Sequence, residues 1–248
     1  MTDPAPQIPA PASPSEPRLS QAQVAVAAQG LGRLGQSVAQ RIRTLQQDYS
    51  HDSSQAVQAL ARLRRGIGRQ ANEMPDLWGL LGIEQFYAAQ PDGHRISEAE
   101  ALRAERAAHV AVTLWALHQQ SNRTKRMHVA DGASLGTAVR RLMTGTDSDE
   151  PIRKRLLRAG TATTFDVLAR RLRELVVLLR KADIPLDYGL LAEHLDRWQK
   201  PGGPSQVRQA WGRSFHAYRP SADAGRLESD VPEGPETVAS TNETKDHT

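Results

Sequence analysis

Residues 135–219 read LGTAVRRLMTGTDSDEPIRKRLLRAGTATTFDVLARRLRELVVLLRKADIPLDYGLLAEHLDRWQKPGGPSQVRQAWGRSFHAYR. Phe165, Leu168, Leu172, Leu175, Val176 and Leu179 fall three or four positions apart, which is the spacing of one face of an α-helix. Arg170, Arg171 and Arg173 stand among the intervening positions. Thr163 or Thr164 is placed to cap the start of this helix, and Gly160 to stop the one before it, whose first turn holds Pro151. Ser134 is a cap for a short helix through Leu135, Val139 and Leu142, and two more helices are expected over residues 186–198 and 205–218. Runs of strand-like alternation are missing, so the predicted fold class is all-α, a compact multi-helix domain.

Upstream the period stays helical. Leu34, Val38, Ile42, Leu45 and Tyr49 form one stripe; Ser53 opens a second helix through Val57, Leu60 and Leu63 that ends near Gly66. Pro75 opens the apolar segment Leu77-Trp78-Gly79-Leu80-Leu81. Ser97 with Glu100 is a capping-box pattern, starting a helix that carries Leu102, Val110, Leu114 and Leu117. Trp78, Trp115, Trp198 and Trp211 are expected in the core.

The ends differ from this body. Residues 1–30 form a proline-rich leader and residues 221–248 an acidic tail; both lack a buried-face pattern and are expected to be disordered. Residues 31–220 are expected to fold, as one helical domain or two small helical lobes. The whole-chain charge of +4 hides an uneven distribution. Residues 221–248 carry net −5 and residues 1–20 net −1, leaving +10 on the body. Such a body is either an arginine-rich solvated surface or one that meets phosphates or an acidic protein.

Composition excludes several function classes. The chain has no cysteine, which removes disulfides, thiol chemistry and the commonest ligands of structural zinc, and agrees with a cytoplasmic location. No apolar run reaches the length of a membrane span, and no secretory signal opens the chain. The eight histidines make no ligand cluster such as H-E-x-x-H; His109, His118 and His128 read as surface or internally satisfied groups. No catalytic residues, cofactor or metal ligands are therefore expected. Gly30-Leu31-Gly32-Arg33-Leu34-Gly35 does match the dinucleotide pattern G-x-G-x-x-G. The region that should supply its second strand, residues 46–52, contains none, so the glycines read as a flexible approach to the first helix.

The remaining signal is cationic. Arg62, Arg64 and Arg65, with Arg69 beyond, sit at one helix end; Arg123, Lys125 and Arg126 sit in a loop. Arg153, Lys154 and Arg155 lie on a short helix, and Arg170 and Arg171, followed by Arg173, on the long one. Guanidinium forks match phosphate oxygens, so these eleven residues, excepting Arg69 and Arg173, are the candidate nucleic-acid contacts. With few aromatics to stack on, binding would be electrostatic and tolerant of sequence.

The order of several short motifs resembles the small subunit of Cascade, the type I-E CRISPR surveillance complex, known as the CasB family. These are Ala59-Leu60-Ala61-Arg62-Leu63-Arg64-Arg65-Gly66, Leu77-Trp78, Ser134-Leu135-Gly136, and Arg153-Lys154-Arg155-Leu156-Leu157-Arg158-Ala159. Leu172-Arg173-Glu174-Leu175-Val176, Ile184-Pro185-Leu186-Asp187-Tyr188, Trp198 and residues 207–215 continue the series. The resemblance implies a non-catalytic helical subunit paired head to tail with a second copy. It further implies contacts with the backbone and large subunits, and a basic face on target DNA, chiefly the displaced strand, beside the guide RNA. A free-standing helical DNA-binding regulator is the alternative; it needs a helix-turn-helix with base-reading side chains, for which no clear turn is found.

Overall fold

In the computed structural model, residues 30–88, 95–143 and 149–218 are described. Nine α-helices are found among them: α1 (Arg33–Ser50), α2 (Ser54–Arg65), α3 (Ile83–Ala88), α4 (Glu98–Gln119), α5 (Leu135–Arg141), α6 (Asp149–Gly160), α7 (Phe165–Lys181), α8 (Tyr188–Trp198) and α9 (Gly203–Ala217). Two short 3₁₀ turns, Ala71–Glu73 and Pro75–Leu77, join α2 to α3. The only β pairing among the described residues is a single bridge between His128 and Leu186. The fold is all-α, as the apolar spacing predicts. The leader and the acidic tail lie outside the described residues, apart from Gly30.

Helix α4 is the axis of the molecule. Its buried face is made of Ala104, Ala107, Ala108, Ala111, Val112 and Trp115. Small side chains let neighbours approach closely, and α1, α2, α7 and α8 all pack on it. The large apolar residues show only part of this face: Leu114 is buried, but Leu102 is 53% exposed, and Val110 and Leu117 are half-buried. Alanine contributes as much to a helix stripe as leucine when the partner backbone is near.

The expected caps form at Ser97, Ser134 and Thr164, whose hydroxyls accept from the N–H groups of Glu100, Thr137 and Val167. Ser53 occupies the cap position of α2 without a side-chain cap bond. Trp115, Trp198 and Trp211 are buried, whereas Trp78 is 70% exposed and corrects the sequence expectation. Leu77, Leu80 and Leu81 fill the space beneath it. The positive φ of Gly79 (76°) turns the chain so that the indole, alone of this apolar segment, points outward.

Helix α5 crosses α9 at Gly136 so closely that a Cβ there would lie 2.0 Å from the Trp211 carbonyl oxygen. Only glycine permits this approach. It sets α9 against α5 on one side and leaves its other side facing α6.

Candidate nucleic-acid interface

Helix α2 ends at Arg65, and its last turn carries Arg62, Arg64 and Arg65. The end is fixed by His109 of α4, whose Nε2–H donates to the Gly66 carbonyl at 3.0 Å. From there the chain, with Gly68 at φ 78°, forms one wall of a groove of about 320 Å³ closed by α4 and α7. Arg69, Arg106, Arg170 and Arg173 line it, above Val110 and Phe165. The one carboxylate in the lining, Asp166, lies 3.7 Å from Arg106, whose guanidinium also sits 4.7 Å above the Phe165 ring. Four cations thus face one acid in a concave site, an arrangement that concentrates positive potential and suits phosphate oxygens.

The groove sorts the sequence candidates. Arg170 lines it, while Arg171, one position on, turns outward to Glu174 at 2.8 Å. Arg62 and Arg65 line a neighbouring surface hollow on α2 with Gln58 and Ala61; Arg64 is half-buried. None of these three forms an ion pair among the described residues. Arg69 and Arg173 belong to the recognised clusters but outside the chosen set. Arg106 was missed, because it stands alone in an alanine-rich helix; its signal is only that it shares a face with Arg103 at i, i+3.

The loop candidates are mostly engaged internally. Arg123 pairs with Asp52 and covers the Tyr49 ring at 5.1 Å. Lys125 Nζ donates to Asp183 at 2.7 Å, and this bond holds the Asp183 carboxyl below the usual carboxylate range. Gln119 pins the loop by donating to the Lys125 carbonyl and accepting from Met127 N–H. Arg126 is exposed and has no ion pair among the described residues. On α6, Arg153 and Lys154 share Glu150, at 2.8 and 3.6 Å, and face α9; Arg155 is half-buried. The eleven candidates therefore do not make one continuous patch with described partners of one kind.

The glycine-rich segment has a different role from the one expected. Helix α1 starts at Arg33, and the Glu193 carboxylate of α8 accepts from Gly35 N–H at 2.7 Å. A Cβ on Gly32 or Gly35 would lie 2.7 Å from Glu193. Gly32 and Gly35 serve close packing and not flexibility, whereas Gly30 is open, and the helix N-terminus where a pyrophosphate would sit holds a protein carboxylate. Burial pushes the Glu193 carboxyl up from the ordinary range, against the Gly35 bond. Among the described residues no group of His, Asp and Glu is arranged to hold a metal ion, and no helix is long and apolar enough to cross a membrane.

His109, His118, His128 and His194 are buried in the core. Each has a partner at one ring nitrogen: Gly66 O for His109, the Tyr188 hydroxyl for His118, Tyr188 N–H for His128 and Trp211 Nε1–H for His194.

Comparison with known proteins gives a consistent result. The family model for CRISPR-associated protein Cse2 matches residues 59–216. The crystal structure of CasB from Thermobifida fusca is 50% identical in sequence with a TM-score of 0.68, the match covering 75% of this chain and 99% of that one. That of CasB from Thermus thermophilus, 22% identical, shares the fold with a TM-score of 0.54 over 74% of this chain and 98% of the other. No curated protein sequence matches significantly.

Proposed function

Since the chain belongs to the Cse2 (CasB) family of CRISPR-associated proteins, we propose that it is the small, non-catalytic subunit of a type I-E CRISPR ribonucleoprotein, Cascade. In this role it holds opened target DNA, chiefly the displaced strand, on an arginine surface. The observation that carries the DNA-binding part is the groove between α2, α4 and α7, where Arg69, Arg106, Arg170 and Arg173 oppose the single carboxylate of Asp166. Arg62, Arg64, Arg65, Arg126 and Arg155 extend the same task to neighbouring phosphates, with Arg123, Lys125, Arg153, Lys154 and Arg171 contributing after exchange of their present carboxylate partners. Its partners are the backbone and large subunits, a second copy of itself, the guide RNA and the target DNA.

Such a subunit has no need to read bases. In RNA-guided recognition the guide reads sequence by pairing, and exchange of a DNA duplex for an RNA–DNA hybrid is near balance. A few charge-assisted contacts to the freed strand are enough to tip it. Arg106, Arg170 and Arg173 stand on packed helices, so their backbone positions are set before binding.

Co-expression with the other subunits and a guide RNA tests the reading. The chain is expected to co-purify with RNA in one assembly, and to bind single-stranded DNA with log K falling by about 0.7 per decade of salt for each phosphate neutralised. Elution of the chain alone, with strong preference for one duplex sequence at fixed salt, would overturn it in favour of a free-standing regulator.

A further inference from the structure

On the side of the molecule built by α6 and α9 there is a second groove, of about 330 Å³, separate from the arginine groove and sharing with the nucleic-acid reading only its rim residues Arg153 and Lys154. Leu156, Leu157, Trp211 and Phe215 make it apolar, and Leu157 is 59% exposed. Gly212 lies in the lining, and a Cβ added there would meet nothing within 4 Å. The rim is basic. Arg153 and Lys154 share the one carboxylate of Glu150, and Arg208 has no ion pair among the described residues. An apolar floor with surplus positive charge fits an acidic segment with interspersed apolar side chains.

The chain itself carries such a segment, and its attachment point is at the groove. The two helices run antiparallel along it, since a Cβ on Gly160 at the end of α6 would lie 3.3 Å from Arg208 in the first half of α9. Phe215 and His216, toward the C-terminal end of α9, line the same groove as Glu150 and Arg153 in the first turns of α6. Helix α9 ends at Ala217, and Tyr218 lies under the Arg141 guanidinium at 5.4 Å, so this end of the groove is where the tail is attached. From Arg208 to His216 the groove is about 12 Å long at 1.5 Å per helical residue. About four extended residues cover that length. Residues 219–222, with Pro220, allow a reversal, and residues 223–231, DAGRLESDV, follow. They place Leu227 and Val231 beside Glu228 and Asp230, preceded by Asp223 and Arg226, within a tail of net charge −5.

We propose that residues 227–231 of the acidic tail dock in the α6–α9 groove of the same chain, with Leu227 and Val231 on its apolar floor and Glu228 and Asp230 against Arg153, Lys154 and Arg208. The docked segment screens this basic cluster, so that other anions reach it only by displacing the tail. This does not depend on the nucleic-acid reading and is tested without DNA.

Because the chain has no cysteine, Ser229→Cys creates a single attachment site for a nitroxide spin label in the full-length protein. With methyl and indole resonances observed at physiological salt, the label is expected to remove most of the intensity of the Leu156, Leu157 and Trp211 signals, and high salt to restore part of it. In the same labelled chain Leu227→Asp with Val231→Asp is expected to restore them. Gly212→Trp, which fills the groove from an open position, is expected to release the label from the Leu156 and Leu157 methyls. Unchanged signals in the labelled parent overturn the proposal, as does broadening that centres on Val110 and Ala169 of the arginine groove. Broadening that appears only when labelled and isotope-enriched chains are mixed also overturns it, by making a second copy the occupant.

Discussion

His118 and His194 are enclosed by the core, and burial pushes each imidazole down to about 4. His109 and His128 are lowered for the same cause. The neutral ring is therefore favoured in the folded protein, while the unfolded chain takes up protons near the ordinary value of about 6.5. The stability from His118 and His194 is complete above that value and is lost as pH falls from there through their folded pKa of about 4, and His109 and His128 act in the same direction. Glu193, raised by burial, works in the opposite sense and offsets part of the loss. Between pH 7 and 5 a loss of about 2 kcal/mol each is expected for His118 and His194. Urea midpoints at the two pH values check this, and an unchanged midpoint would contradict it. The burial of these histidines was only half legible: their absence from any ligand pattern was visible, but not which would find a partner such as Tyr188, 70 positions from His118. By contrast, the split of Arg170 from Arg171 was available from spacing alone. Arg170 and Arg173 share a helix face at i, i+3, and Arg171 does not.

Among the elements, those with wide apolar stripes and side-chain caps were legible, α7 most clearly, because periodicity and capping are local properties. What could not be read is where two helices meet through small residues. The glycines at the start of α1 look like a loop in sequence. They are in fact the place where α8 presses in: a Cβ on Gly189 would lie 2.7 Å from the Gly35 carbonyl oxygen. Glu193 then supplies, from 158 residues away, the cap that Gly32 has no side chain to make. Glu193→Ala is expected to cost about 1 kcal/mol, the usual effect of losing an N-cap acceptor, with Glu193→Gln retaining most of it by keeping an oxygen near Gly35. Chemical denaturation of both variants measures the difference. Equal stability of the alanine variant and the parent would show that the Gly35 N–H does not depend on this carboxylate.

At the scale of the whole molecule, the net +10 of the body was visible in the sequence, and it left a solvated surface, a phosphate-bearing partner and an acidic protein all open. The groove was not, because its four arginines come from three separate stretches of chain brought together only by packing on α4. Arg106 belongs to no cluster in sequence, yet it lies between Phe165 and the α2 end. The loop and α6 candidates looked equivalent to the groove residues in sequence and differ in structure by their carboxylates: Asp52, Asp183 and Glu150 already hold Arg123, Lys125, Arg153 and Lys154.

The central claim, that the α2–α4–α7 groove is the path of the opened DNA, is tested most directly by displaced-strand protection in assembled complexes that carry Arg69→Glu, Arg170→Glu and Arg173→Glu together. Arg106 is left intact because it is tied to Asp166 and Phe165. The expected result is normal recovery of guide RNA and partner subunits, loss of protection of the displaced strand, and a salt slope shallower by about 2, from about 0.7 for each of three phosphates. Fully assembled complexes in which protection and salt slope both match the parent would contradict the account.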